Sequence, residues 1–226
     1  MATYLFSAPT PVTVPVLGGA SLFPVRRIFC VGRNYAAHRR EMGGDDRDPP
    51  FFFAKPADAI VGPGGDVPYP SRTAELHHEI ELVVALGAGG VDLQATEALS
   101  LVFGYAAGVD LTRRDLQSAA RAKGQPWDSA KGFDASAPIS AIRPWSGAPP
   151  AGAIRFWVND HLRQDAVISD MIWNVPEIIS EASKLWRLEP GDLIFTGTPE
   201  GVGALETGDK GRGEIDGVGA VTFTIS

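Results

Sequence analysis

Two glutamates, Glu79 and Glu81, stand two positions apart in the otherwise apolar stretch LHHEIELVVALG, residues 76–87. Apolar residues alternate with their neighbours from Ile80 to Leu86, and this period of two predicts a buried β-strand. On a strand, side chains two positions apart point the same way and lie roughly 7 Å apart. Two carboxylates so placed repel each other unless a cation lies between them. A hard divalent cation such as Mg²⁺, Mn²⁺ or Ca²⁺, which prefers oxygen ligands, is the obvious candidate.

A third carboxylate, Asp110, ends the apolar stretch FGYAAGVD and precedes a predicted helix. A side chain at the end of a strand can emerge from the sheet edge into a cleft and complete a metal site. The alternative makes Glu79 and Glu81 a solvated strand face and Asp110 a helix-flanking acid attracted to the helix dipole. His77 and His78 are predicted to be packing or supporting residues, because a hard-metal site does not need them.

A candidate general base lies in the stretch GRNYAAHRREM, where His38 and Glu41 are three residues apart. In one helical turn the two side chains share a face and can hydrogen-bond. A carboxylate so placed fixes the imidazole tautomer and raises its basicity, which suits proton abstraction from water. A surface pair on a loop is the alternative interpretation.

Further polar residues stand where they could bind a substrate. Lys131 lies between small residues in DSAKGFDASAP, although a solvent-facing lysine would fit the same pattern. Arg114 and Gln117 are three apart on one face of the predicted helix. In the glycine-rich segment EPGDLIFTGTPEGVG, backbone N–H groups and the Thr198 hydroxyl could hold an anion. This segment lacks the Gly-Lys-Ser/Thr ending of a phosphate-binding loop.

Composition narrows the classes of partner. The 226 residues include 44% hydrophobic and 21% charged residues, an ordinary globular balance that can bury a large core. The formal net charge of -7 argues against binding to nucleic acid or an anionic membrane surface. The lone cysteine, Cys30, is predicted to be a core residue and fits a cytoplasmic setting. No apolar run is long enough to span a bilayer, and no secretory signal is recognisable.

Strands outnumber helices in the predicted order of elements, which favours a mixed, strand-rich α+β fold. We predict an extended N-terminal arm at residues 1–24 and a single domain at residues 25–226. One helix is predicted at Arg113–Lys123, with Thr112 as N-cap and Gly124 as the stop. A second is predicted at Val175–Arg187, with Asn174 as N-cap and one apolar face formed by Ile178, Ile179, Ala182, Leu185 and Trp186. Strands are predicted at Arg27–Val31, Phe51–Ala54, Ile80–Leu86, Phe103–Val109, Ile154–Val158, Leu193–Thr196 and Ala220–Thr224.

Taken together, six blocks of the chain resemble the fumarylacetoacetate hydrolase family. The blocks are CVGRNYAAHRREMG, PPFFFAKP, LHHEIELVVALG, GYAAGVDLTRRDLQ, KGQPWDSAKGFDASAP and LEPGDLIFTGTPEGVG, and they cover about residues 26–205. The resemblance implies a mixed β-sandwich roll, usually a homodimer, with one Mg²⁺ or Mn²⁺ per subunit.

The resemblance also assigns roles to the candidate residues. It implies that Glu79, Glu81 and Asp110 bind the metal, and that His38 and Glu41 on a short lid activate water. It implies further that Lys131 completes the catalytic set. The substrate's carboxylate and carbonyl oxygens would contact Arg114, Gln117 and Thr198.

The activity implied is hydrolysis of a carbon–carbon bond in a 2,4-diketo acid. Cleavage between two carbonyl groups needs an electron sink, which a divalent ion chelated by an α-keto acid supplies. Within the family, the blocks resemble most the bacterial enzymes of gentisate catabolism that cleave fumarylpyruvate to fumarate and pyruvate. Other acylpyruvate hydrolases, oxaloacetate decarboxylases and keto–enol tautomerases share the scaffold and stay open as alternatives, as does a metal-organised binding protein without turnover.

Overall fold

The computed structural model describes residues 4–35 and 48–226. The strands in these ranges are β1 Thr13–Pro15, β2 Leu22–Pro24, β3 Arg27–Gly32, β4 Phe51–Lys55, β5 Ile60–Val61, β6 Gly65–Val67, β7 Leu76–His78, β8 Ile80–Leu86, β9 Val102–Val109, β10 Thr112–Arg113, β11 Ala137–Pro138, β12 Arg143–Pro144, β13 Ala153–Val158, β14 His161–Val167, β15 Asp192–Phe195, β16 Gly203–Leu205, β17 Lys210–Ile215 and β18 Gly219–Ile225. The α-helices are α1 Ala95–Ala98, α2 Arg114–Ala122, α3 Asp128–Lys131 and α4 Val175–Leu185. Short 3₁₀ helices span Ala57–Ala59, Leu99–Leu101 and Ile168–Asp170. The strand-rich α+β prediction is confirmed, and every predicted strand agrees with an observed one to within one residue at each end.

Two large sheets form the body of the fold. A six-stranded sheet has the order β12-β9-β8-β15-β3-β4, and a five-stranded sheet has the order β14-β13-β17-β18-β6. Most neighbouring strands run antiparallel, whereas β15 pairs with β3 and β18 with β6 in parallel. A smaller three-stranded sheet, β10-β7-β16, joins them.

Both faces of β8 are buried, which explains why its sequence is apolar except at Glu81. Leu82 and Val84 point into the core that also contains Phe156 of the five-stranded sheet. Val83 and Ala85 point into a second cluster. Because β8 lies in the middle of its sheet with apolar layers on either side, an acidic residue on it must be either paired or functional.

The chain changes sheets at Glu79. The preceding strand β7 pairs with β10 and β16, and the following strand β8 pairs with β9 and β15. The backbone of Glu79 at this junction accepts a hydrogen bond from Asp110 N–H at 2.9 Å. The carboxylate of Glu79 thus stands at the point where two sheets and the end of β9 meet.

The N-cap predicted for helix α2 is wrong. Thr112 belongs to β10 and pairs with His77, and the helix begins at Arg114 without a side-chain cap. The Thr112 hydroxyl donates instead to Glu79 Oε1 at 3.1 Å, because a buried carboxylate gains more from a donor than a helix end exposed to water. Gly124 follows the helix with a left-handed backbone (φ 63°), as a stop residue does.

Helix α4 has the predicted cap but not all of the predicted apolar face. Asn174 Oδ1 accepts from Glu177 N–H, and Glu177 in turn accepts from Asn174 N–H, which forms a capping box. Ile178, Ile179 and Ala182 are buried, whereas Leu185 in the last turn is 61% exposed. The inclusion of Leu185 was wrong because the helix ends there and the chain turns away in an extended conformation.

The N-terminal segment includes a short hairpin. Strands β1 and β2 pair antiparallel, and Val14 and Phe23 are buried in the second cluster. Cys30 is fully buried in the same cluster, which confirms its core placement. The division into an arm and one catalytic domain stays a prediction. None of the described helices is long and apolar enough to cross a membrane.

Candidate active site

Three acidic side chains converge at the sheet junction, and we call Glu79, Glu81 and Asp110 the acid cluster. One oxygen from each lies within 4.8 Å of the others, and all three side chains are buried. The antiparallel register pairs Glu81 with Gly108, so Asp110 falls opposite Glu79 at the strand end. The solvated-face alternative for these acids is therefore excluded.

Lys131 Nζ bridges the acid cluster. It lies 2.8 Å from Glu79 Oε2 and 2.6 Å from Asp110 Oδ2, and it donates to Thr112 Oγ1 at 2.6 Å. Helix α3 places it there, and its side chain is only 2% exposed. The structure thus rules out a solvent-facing lysine.

A second buried lysine, Lys55, contacts the acid cluster and was not assigned a role from the sequence. Its Nζ lies 2.8 Å from Asp110 Oδ1 and donates to the carbonyl oxygens of Leu111 and Lys131. The signal for it was present in the block PPFFFAKP, where a lone charge closes an apolar strand. The partner that makes this charge stable, Asp110, lies 55 positions away and cannot be recognised from local pattern.

Arg114 and Gln117 lie together at the edge of the acid cluster. Arg114 forms an ion pair with Glu79 and donates to Gln117 Oε1 at 2.5 Å. Both residues come from helix α2 and line the same cavity as the acid cluster, together with Thr198. Sequence reasoning brought these residues together through their spacing and the family resemblance, and their roles stay predictions.

The electrostatic state of the cluster follows from burial and crowding. Burial raises the pKa of the Glu81 carboxyl well above its ordinary value, and the charges of Asp110 and Glu79 raise it further. Burial lowers the pKa of Lys131, but the charges of Asp110 and Glu79 outweigh this, and the pKa lies above its ordinary value. The charges of Asp110 and Glu79 thus stabilise the buried ammonium group of Lys131.

Gly197 supplies a backbone donor to Glu81. Its N–H donates to Glu81 Oε2 at 2.7 Å, and its backbone is left-handed with φ 94°. A Cβ at this position would lie 2.7 Å from Asn34 Cβ, so only glycine fits. The glycine-rich segment of the sequence is therefore used to orient a buried acid.

The donor set fits a hard divalent cation. It consists of three buried carboxylates, with one oxygen from each within 4.8 Å of the others. Asp110 and Glu79 already pair with lysines, whereas among the described residues Glu81 accepts from the Gly197 N–H and has no cationic partner. A buried carboxylate without a cationic partner is costly. A bound divalent ion would also favour the ionised form of Glu81.

A larger cavity of about 710 Å³ adjoins the acid cluster. Arg33, Phe53, Trp127 and Lys131 line both this cavity and the narrower one around the acids. Phe51 and Phe53 stand edge-on to Trp127, with ring centroids 5.0 and 5.9 Å away. Phe51, Phe53 and Trp127 thus form an aromatic wall of this cavity.

The predicted catalytic pair His38 and Glu41 lies outside the described residues. The other predicted site residues, Glu79, Glu81, Asp110, Arg114, Gln117, Lys131 and Thr198, line one cavity.

Comparison with known proteins identifies relatives of this chain. The chain is 45% identical over 176 residues to a fumarylpyruvate hydrolase of Ralstonia sp, which covers 77% of this chain and 92% of that protein. It is 44% identical over 202 residues to the mitochondrial oxaloacetate tautomerase FAHD1 of Rattus norvegicus, covering 88% and 91%. A crystal structure of fumarylpyruvate hydrolase from Pseudomonas aeruginosa in complex with Mn²⁺ and pyruvate is 49% identical, with a TM-score of 0.95 over 99% of both chains.

The sequence pattern described as fumarylacetoacetate (FAA) hydrolase C-terminal matches residues 27–226. This match covers most of the chain, and the similar proteins span nearly its whole fold. The chain therefore belongs to the fumarylacetoacetate hydrolase family.

Proposed function

We propose that the protein is a metal-dependent hydrolase that uses water to cleave fumarylpyruvate into fumarate and pyruvate. The observation that carries this proposal is the acid cluster, buried and bridged by Lys131, beside an aromatic cavity. The acid cluster fits a metal and a keto acid, and the aromatic cavity fits an acyl group.

The charges around the acid cluster favour a substrate with two carboxylates. Lys55, Lys131 and Arg114 contact Glu79 or Asp110, and their three positive charges equal the three negative charges that the acid cluster carries when a bound metal keeps Glu81 ionised. A divalent cation would add two positive charges to this balance. Fumarylpyruvate, a dianion, supplies the matching negative charge.

The aromatic cavity favours a flat acyl group. Phe51, Phe53 and Trp127 present ring edges and faces to a space of about 710 Å³. A planar conjugated fumaryl group can lie against aromatic rings with large contact area. Oxaloacetate lacks such a group and would leave this cavity unused.

In the proposed mechanism, the acid cluster holds Mg²⁺ or Mn²⁺, which supplies Lewis-acid stabilisation of the negative charge left when the carbon–carbon bond breaks. Arg114, Gln117 and Thr198 orient the substrate's oxygens. The Lys131 ammonium group stabilises negative charge close to the acids. His38, oriented by Glu41, takes a proton from the attacking water; the hydroxide adds to the fumaryl carbonyl carbon, and the carbon of the departing pyruvate takes up a proton when the bond breaks.

The experiment is an assay of purified protein with Mg²⁺ or Mn²⁺ and fumarylpyruvate. We expect the enol absorbance of the diketone to bleach and fumarate and pyruvate to appear in equal amounts. Asp192, a buried aspartate paired with Arg27 outside the cavity, offers the matched control. Asp110→Asn should abolish turnover and Asp192→Asn should retain it; a folded, metal-loaded protein that leaves the absorbance unchanged contradicts the proposal.

Oxaloacetate tautomerisation is the second candidate, and the 44% identity to the rat oxaloacetate tautomerase favours it. This reaction needs no attack by water. A His38→Ala variant should therefore retain most activity if tautomerisation is the function and lose it if hydrolysis is. Decarboxylation of oxaloacetate would reveal itself by release of carbon dioxide.

We further propose a cytoplasmic homodimer that acts in aromatic-compound catabolism through the gentisate pathway. Sequence resemblance supports these finer assignments. A folded protein that binds metal and keto acid but turns over none of fumarylpyruvate, maleylpyruvate, acetylpyruvate and oxaloacetate would instead be a binding protein.

A further inference from the structure

The side-chain amide of Gln164 lies at the centre of a buried hydrogen-bond network outside the acid cluster. Gln164 on β14 is 1% exposed. Its Oε1 accepts from Ile80 N–H at 3.1 Å and lies 3.0 Å from His78 Nδ1. Its Nε2 lies 2.9 Å from Thr198 Oγ1 and 3.0 Å from the carbonyl oxygen of Pro199. All four hydrogen-bonding positions of the amide are therefore used.

Two backbone groups fix the orientation of this amide. Ile80 N–H can only donate, so the atom facing it is the amide oxygen. Pro199 C=O can only accept, so the atom facing it is the amide nitrogen. A flipped amide would place its nitrogen against the Ile80 N–H, donor against donor, and its oxygen against the Pro199 C=O, acceptor against acceptor. His78 Nδ1 consequently carries a proton and donates to Gln164 Oε1, and Thr198 Oγ1 accepts a hydrogen bond from Gln164 Nε2.

This orientation determines the hydrogen bonding of the Thr198 hydroxyl. Its oxygen accepts from Gln164 Nε2. Among the described residues, no acceptor receives a hydrogen bond from the Thr198 O–H. Thr198 is 4% exposed and lines the cavity around the acid cluster. Its proton is therefore available to an oxygen that enters the cavity.

We propose that Gln164 is a positioning residue, which fixes Thr198 as a hydrogen-bond donor to the carboxylate or carbonyl oxygen of the bound keto acid. This inference rests on the proposed function, which brings a keto acid next to Thr198. Gln164 also ties the loop containing Thr198 to Ile80, beside both glutamates of the acid cluster. A mainly structural role through that tie is the alternative.

Gln164→Glu tests the proposal with almost no change in shape. An ionised carboxylate cannot donate, so the Thr198 proton should turn towards it and away from the substrate. With Mn²⁺ present, we expect the affinity for pyruvate, measured by calorimetry, to fall about 10- to 100-fold, the range for a hydrogen bond to a charged group. The affinity for Mn²⁺ alone should not fall, whereas distortion of the acid cluster would lower it.

A double-mutant cycle separates positioning from structure. Thr198→Val should lose the same affinity for pyruvate, and Thr198→Ser should retain it. In the Thr198→Val background, Gln164→Glu should cost nothing further, because the donor is already gone. Gln94→Glu, the same change of charge at the exposed N-cap position of α1, is the control and should bind pyruvate like the wild type.

Unchanged pyruvate affinity in Thr198→Val, or additive losses in the double variant, overturns the inference. If Gln164→Glu does not fold, unchanged pyruvate affinity in Thr198→Val still overturns the inference. Failure of the proposed function has a different signature, because the wild type would then bind pyruvate with Mn²⁺ and leave fumarylpyruvate uncleaved.

Discussion

Two buried lysines balance the charge of the acid cluster, and each is held in a different way. Lys131 Nζ bonds to Glu79, Asp110 and Thr112 side chains. Lys55 Nζ lies against Asp110 but gives hydrogen bonds to two backbone carbonyl groups. Lys55 therefore fixes the chain on both sides of the site, whereas Lys131 faces the reacting groups.

Replacing Lys55 with methionine should cost the fold about 3–5 kcal/mol, because it leaves a buried carboxylate short of a partner and removes a donor from the buried carbonyl groups of Leu111 and Lys131. Urea unfolding in the presence of a chelator measures this loss. Lys184→Met breaks the exposed pair with Glu181 and should cost about 0.5 kcal/mol or less. Equal losses of stability in the two variants would show that the ion pair of Lys55 contributes no more than an exposed ion pair.

Tyr105 gives a prediction about pH. Burial raises the pKa of the Tyr105 phenol to about 12 from its ordinary value of 10. The unfolded chain thus releases this proton at lower pH than the folded one, so stability is unaffected below pH 10 and falls from pH 10 towards pH 12. The loss is at most about 1.4 kcal/mol per pH unit. Urea unfolding at pH 9 to 11.5 should show a shallower decline in Tyr105→Phe; identical slopes would contradict the assignment.

Single residues differ in how far local sequence reveals them. Glu79 and Glu81 could be recognised because an acid within an apolar strand is stable only when a cation or a donor accompanies it. Lys131 and Lys55 could not be placed, since burial of a lysine depends on acids that are distant in sequence. Gln164 gave no local signal, because an isolated glutamine on a strand has the same pattern whether it faces water or a buried network.

Elements were predictable where one physical pattern dominates. The period-two alternation around β8 and the Asn174 cap of α4 act within a few residues, and both were predicted. The change of sheets at Glu79 was not, because the acceptor that the Ile80 N–H finds there, the Gln164 amide oxygen, lies 84 positions away in sequence. The Thr112 hydroxyl likewise donates to Glu79, 33 positions away in sequence, rather than capping the adjacent helix.

The capping box of α4 makes a measurable contribution to the stability of the protein. Asn174→Ala should destabilise the protein by about 1 kcal/mol, because Glu177 N–H loses its acceptor at the helix start. Asn174→Asp retains an acceptor and is the matched control. Chemical unfolding checks the difference, and equal stability of the alanine and aspartate variants would show that water replaces the cap without cost.

At the scale of the whole molecule, the two large sheets form the body of the fold, and the acid cluster lies where the six-stranded sheet meets the small three-stranded sheet. The core between the sheets is apolar, and the acids lie where β8 and β9 leave it. Such a layout keeps the ligand oxygens close together through backbone register rather than through flexible loops. Metal binding should therefore stabilise the entire fold and not only a local segment.

This coupling can be measured by thermal unfolding. At a hundredfold excess of Mn²⁺ over its Kd, the chelator-treated protein should gain about 2.7 kcal/mol. For a chain of this size the gain corresponds to a rise of about 5–10 °C in Tm.

The variant Asp110→Asn should remove this rise in Tm, because it replaces one of the carboxylates proposed to bind the metal. Asp192→Asn should lower Tm by breaking the pair with Arg27 at 2.6 Å, yet retain the rise with Mn²⁺. If Asp110→Asn kept the full rise, the ion would be stabilising the molecule from somewhere other than the sheet junction, and the acid cluster would be a charge network held by its lysines alone.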